Sequence, residues 1–189
     1  MSEVFSDTFA LPTVEGAKTE GSWDHSPFHL EGISMIDFKA FLRALIKEVH
    51  RDSILSRKEW GSALKLANMW GFHDVRQRAI NAIEQAGHFT VVDKINLGRE
   101  FKVFHWFNAA VQQFAFREVS ISAQEVGLIG LDMAVPLFHL REKIVRHGVW
   151  HTSDWMKYAE DSLKEELLEV KASSAAFDAL PSFYPAPKP

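Results

Sequence analysis

Four times along this chain a serine or threonine is followed three residues later by an acid, just ahead of an apolar run. The pairs are Ser34 and Asp37, Ser56 and Glu59, Thr90 and Asp93, and Ser122 and Glu125. Each is a capping box or its aspartate form. The hydroxyl accepts a hydrogen bond from an orphan N–H of the first helical turn, and the acid reaches back to the cap. Leu55 with Trp60, and Ile121 with Val126, add the apolar staple that fixes how a chain enters a helix. A chain punctuated in this way is mainly α.

The apolar spacing between the caps agrees. Met35, Phe38, Leu42, Leu45 and Val49 recur every three or four residues, as do Trp60, Ala63, Leu64 and Ala67, and then Val75, Ala79, Ile83 and Ala86. Gly71 and Gly87 stand where the second and third of these stripes stop, because glycine enters the left-handed region cheaply. Only Gly71-Phe72 separates the second and third helices, so they must pack as a close pair. Val92, Ile95 and Gly98 mark a further helix, and Val103, Phe107, Ala110, Val111 and Phe114 another. A short helix is expected from the Ser122 cap to Gly130, a longer one from Asp132 to His147 with Pro136 near its start, and a last one from Ser153 to Val170. The alternation at Pro27-Phe28-His29-Leu30, closed by Gly32, predicts one short strand. Residues 171–189 are rich in Ala and Ser, then Pro, and read as a disordered tail.

Composition narrows the chemistry. Apolar residues make up 47% of the 189, enough for a core, and 15 Phe and 6 Trp supply much of its area. With no cysteine, disulfides, thiolate metal sites and cysteine nucleophiles are excluded. This fits an intracellular protein, cytoplasmic or nuclear. Net charge is −4 and no basic stripe is evident, which speaks against nucleic acid as a partner. Arg141, Lys143, Arg146 and His147 gather near a helix end, where cations suit the helix dipole. No apolar run is long enough to span a membrane, and the first residues do not form a signal peptide.

No site with a mechanism emerges. His147 and His151 have ligand spacing but are separated by Gly148, with no third ligand near. His25 and His29 lie in an extended segment, ~13 Å apart and too far to share a metal. Glu165-Glu166 falls on a charged helix face, whereas catalytic carboxylate pairs need burial to separate their pKa values. Glycine-rich nucleotide loops and the nucleophile elbow are absent. The expectation is no catalytic residue, no metal and no cofactor, and no cavity in which ionisable side chains converge. Five aromatics are candidate partner-binding residues: Phe5 and Phe9 in a short opening element, Trp23 in a polar loop, and Phe104 and Trp106 in an aromatic group denser than one helix face can bury. Aromatics are enriched at interface hot spots, although core packing is the commoner fate of such a group.

Several segments carry a resemblance. Val4 to Pro12 is one, and Ser26 to Ser34 with Asp37-Phe38 and Phe41-Leu42 is a second. Glu59-Trp60, Ala63 to Phe72, Asp74-Val75-Arg76 and Ala79-Ile80 form a third, and Val92 to Ile95, Leu97 to Phe101, Val103 and Trp106 a fourth. Together they resemble the BTB/POZ-domain proteins of mushroom-type fungi over about residues 4–147, most specifically at Met69-Trp70-Gly71-Phe72. The resemblance implies the C-terminal half of a BTB/POZ domain over 1–87, with one short strand plus helices. It implies a helical BACK-like extension over 88–170, then the tail at 171–189.

The same resemblance implies an interaction adaptor with a protein partner, no membrane association and no cofactor. The chain starts at an element that follows two strands, a helix and a third strand in a whole BTB domain. The family's usual homodimer, which leans on that helix, is therefore not expected. The strand at Phe28–Leu30 would have an open edge that attracts another chain. A role as substrate adaptor of a cullin-type ubiquitin ligase is an alternative, but the family's hydrophobic-x-Glu motif would fall on Thr13-Val14-Glu15, whose first residue is polar. An enzyme with an unrecognised site is the remaining alternative.

Overall fold

A computed structural model describes residues 25, 27, 29–46, 55–87, 89–148 and 155–180. The described residues form eight helices and no strand. The chain divides into two compact units, one of residues 1–86 with 180–189 and one of residues 87–179.

The first unit contains α1 (Met35–Leu45), α2 (Arg57–Trp70) and α3 (His73–Gln85). Ser56 and Glu59 close a full capping box at the start of α2. Ser34 caps α1 with its hydroxyl, but Asp37 does not return the bond to the cap N–H as the sequence pattern predicts. Its carboxyl takes a hydrogen bond from Ser62 first and also meets the Ser34 hydroxyl and Lys65, which together hold it below the usual carboxylate range. A tertiary partner has outbid the local one.

Phe41, Ala44, Leu55, Ala63, Leu66, Ala67, Trp70 and Val75 make the core of this unit. Phe41 sits at its centre, edge-on to Trp70 at 5.0 Å and to Phe72 at 5.2 Å, the geometry that aromatic quadrupoles favour. Gly71 makes this cluster possible. Its φ of 66° ends α2 and turns the chain at once into α3, so that Trp70 and Phe72 both reach Phe41. Arg76 is buried on α3 and donates to Asn68 Oδ1 on α2 at 2.6 Å.

Pro27, His29 and Leu30 are not in a strand, and Phe28 lies outside the described residues. Leu30 instead packs on the core of this unit, and its carbonyl accepts a bond from Ile33 N–H across a turn where Gly32 has φ 72°.

The second unit holds α4 (Val91–Glu100), α5 (Phe104–Phe116), α6 (Ala123–Ile129), α7 (Leu131–His147) and α8 (Trp155–Asp178). Full capping boxes start α4 at Thr90 and α6 at Ser122. Gly98 lies inside α4 and does not end it. An added Cβ there would stand 2.8 Å from the Phe107 nitrogen, so only glycine lets α4 and α5 approach this closely. The chain leaves α4 by a Schellman turn, with Val103 N–H bonding Gly98 C=O at 2.9 Å and Lys102 in the left-handed position at φ 53°.

The core of this unit runs from Ile95 through Phe107, Val111 and Phe114 on α5, Met133, Leu137, Leu140 and Ile144 on α7, to Ala159, Leu163, Leu167 and Val170 on α8. Two details of α8 differ from expectation. The helix does not give way to a disordered tail after Val170 but continues to Asp178, with Ser174 buried on the same face. It also breaks at Leu163, whose φ of −132° and ψ of 26° are not helical, so that it is two helical pieces joined at a core leucine.

Candidate functional site

Helix α7 is apolar on two sides. At 3.6 residues per turn, Met133, Ala134, Leu137, Leu140 and Ile144 fall on one arc and are buried in the core. Leu131, Val135, Phe138 and Val145 fall on another, within about 80° of one another and roughly 130° from the first. Their exposures run from 40% at Phe138 to 70% at Leu131. Leu128, just ahead at the end of α6, is also exposed. The outer spacing is four, three and seven residues. The charged Glu142, paired with Arg146, stands in the seven-residue gap and sets Val145 apart from the other three.

A polar frame holds α7 so that its inner arc meets the core. Arg141 donates to two carbonyls at the end of α5, Phe114 O at 2.7 Å and Arg117 O at 2.8 Å. This satisfies groups that a helix C-terminus leaves open. Arg117 lies 4.4 Å from the Phe114 ring centroid and forks onto Glu125 with bonds of 2.6 and 2.7 Å. Glu125 is also the capping-box acid of Ser122. The hydrogen bonds from Arg117, and then those from Ser122, hold the Glu125 carboxyl down at about 2 despite partial desolvation.

An open cleft of about 330 Å³ lies between the start of α7 and the break in α8. Asp132, Met133 and Pro136 line one wall, and Asp161 to Glu166 the other. Ionisable side chains therefore do gather around a cavity, contrary to the sequence expectation. Their pairing decides what they do. Asp132 and Glu166 are both bound by Arg99, at 2.8 and 2.6 Å, and Asp161 is bound by Lys143. The Arg99 bond holds Asp132 below the ordinary carboxylate range, and the Lys143 bond does the same for Asp161. Asp132 and Asp161, held ionised in this way, are poor proton acceptors at neutral pH. Glu166 is half-buried in this arrangement, whereas the sequence placed it with Glu165 on a solvated face.

The candidate aromatics divide. Trp106 is only 2% exposed and packs edge-on to Phe89 at 4.9 Å. Phe104 is partly buried on the core of its unit, with the Lys171 ammonium 5.9 Å from its ring centroid. Phe5, Phe9 and Trp23 lie outside the described residues, as does Thr13-Val14-Glu15. The four cations near the end of α7 all have partners within their unit. Arg141 and Lys143 are placed above, Arg146 bonds Glu142 at 2.5 Å, and His147 stacks on Tyr158 at 5.3 Å. His151 lies outside the described residues, and no group of three His, Asp or Glu among them could hold a metal. None of the described helices is long and apolar enough to cross a membrane.

The residues that sequence reasoning passed over are Leu131, Val135, Phe138 and Val145. Their signal was present as a second apolar phase in one helix, where a single amphipathic helix needs one.

Comparison with protein-family models, curated proteins and solved structures gives no match.

Proposed function

We propose that this chain is a protein-interaction module without catalytic activity, an adaptor that docks another protein along the outer face of α7. One observation carries the reading: a helix already seated in a core by one arc offers a second apolar arc to solvent. Scattered single apolar residues are normal on a surface, but several gathered on one arc of one helix make the kind of patch that marks an interaction site. The BTB/POZ-like segments agree with an adaptor role. In that reading the Met69-Trp70-Gly71-Phe72 block serves as scaffold, because Trp70 and Phe72 are spent on the contacts with Phe41.

The test compares two immobilised proteins, the full chain and its Val135→Glu variant, as baits in the cell that makes it. The reading expects a defined set of proteins retained by the first and lost from the second, with equal folding of both by circular dichroism. Identical sets on the two baits, or substrate turnover by the purified chain, would count against it.

A further inference from the structure

We infer that the first piece of α8, Trp155 to Ser162, is a strap that opens and closes about Leu163 while the second piece stays seated in the core. The inference goes beyond the docking reading and does not draw on the outer face of α7.

Helix α8 is broken at a residue that is itself anchored. Leu163 is buried, yet its backbone leaves the helical region. The ladder of hydrogen bonds is interrupted there, so the two pieces need not open together. Each piece also has its own holders. The second is tied to α4, where Arg99 bonds Glu166 at 2.6 Å and Lys102 bonds Glu169 at 2.5 Å. The first is tied to the C-terminal ends of α5 and α7. Lys143 bonds Asp161 and reaches the Ser162 hydroxyl at 3.3 Å, Tyr158 stacks on His147, and Trp155 stands edge-on to Phe116 at 6.2 Å.

Burial separates the pieces further. The second buries Leu167, Val170 and Ser174 beyond the pivot, whereas the first buries Trp155 and Ala159. A piece of about two turns is too short to hold a helix in water without tertiary support. Loss of its contacts therefore melts the strap. Asp161 is largely exposed, so its pair with Lys143 is a weak latch. Trp155 is the stronger one, because it supplies most of the apolar area that this piece buries. The open cleft along residues 161–166 leaves space beside the pivot. Opening bares the Phe116 edge and the last turns of α7 while the core beyond Leu163 stays closed.

Hydrogen exchange of the full chain in low urea tests this, read at the amides of Ala159–Ser162 and of Leu167–Val170. Both sets lie past the first turn of their piece, where helical N–H groups have partners. The strap amides should exchange about tenfold or more faster than the others, and with little urea dependence, because a small opening exposes little surface. The second set should follow the urea slope of global unfolding. Trp155→Ala should speed exchange in the strap by about tenfold or more. Asp161→Asn, a milder variant that keeps the core intact, should speed it about two- to fivefold. Leu167→Ala should speed the second set by about thirtyfold or more and leave the strap unchanged, because the open strap keeps Leu167 packed. Where Leu167→Ala does not fold, Glu166→Gln should give a smaller shift of the same kind. Equal rates with equal urea slopes in the wild type would show one cooperative helix and overturn the strap. A strap that speeds up with the second set in Leu167→Ala or Glu166→Gln would overturn it as well, and so would strap exchange that neither Trp155→Ala nor Asp161→Asn alters.

Discussion

The two apolar arcs of α7 are made of similar residues and have opposite surroundings. The inner arc, with Leu137, Leu140 and Ile144, is sealed against α5 and α8. The outer arc, with Leu131, Val135, Phe138 and Val145, meets solvent. Hydrophobicity alone therefore does not decide which arc forms the core. The polar frame does, because Arg141 ties α7 to the carbonyls of α5 and Arg117 ties α5 to Glu125 on α6. One arc stabilises the fold, and the other is the face to which the proposed function assigns docking.

The largest effect should come from the inner arc. Leu140→Ala should lower unfolding free energy by about 2–5 kcal/mol in urea, the usual loss plus cavity at a sealed leucine. A smaller value would mean that the inner arc is as loose as the outer one.

The frame should fail in acid. Glu125 is held at about 2 in the folded chain against an ordinary value of 4.5. A lowered folded pKa adds stability above the unfolded pKa that disappears as pH falls toward the folded one. Solvent screening trims the contribution at neutral pH to roughly 1–3 kcal/mol, and its loss should fall between about pH 4.5 and 2. Urea midpoints across that window should drop steeply for the wild type, and less for Glu125→Gln, which starts lower. Equal slopes would remove Glu125 from the frame.

Gly98→Ala should cost about 1–3 kcal/mol, because the new methyl meets backbone of Phe107 that has little room to shift. A neutral result would show that α4 and α5 slide freely. The smallest change belongs to the outer arc, where Val145→Ser should stay within about 0.5 kcal/mol of wild type.

Much of the helix count was legible because capping is local chemistry. Ser56 with Glu59, Thr90 with Asp93 and Ser122 with Glu125 need only a three-residue spacing, and each forms its reciprocal bonds. What depended on distant partners was not legible. Asp37 carries the same signature, yet Ser62 and Lys65 draw its carboxyl away. Arg99 and Glu166 are 67 residues apart and no local pattern joins them. Lys102 ends α4 where a glycine would have announced the turn. The stretch from Lys171 to Asp178 reads by composition as a tail, but alanine is the best helix former and buried Ser174 extends the inner face of α8. The candidate surface was hidden for a different reason. Apolar spacing in α7 fits a helix from either arc, and sequence does not say that only one of them would be covered.

The direct test of this division of labour measures two properties on the same two variants, Leu140→Ala and Val145→Glu. Urea unfolding reports the fold, and the set of proteins retained by the immobilised chain reports docking. Leu140→Ala should lose stability and, where still folded, retain the same set. Val145→Glu should keep its unfolding midpoint and lose that set. If Val145→Glu unfolds as easily as Leu140→Ala while its retained set is untouched, the outer arc belongs to the fold and the account is wrong.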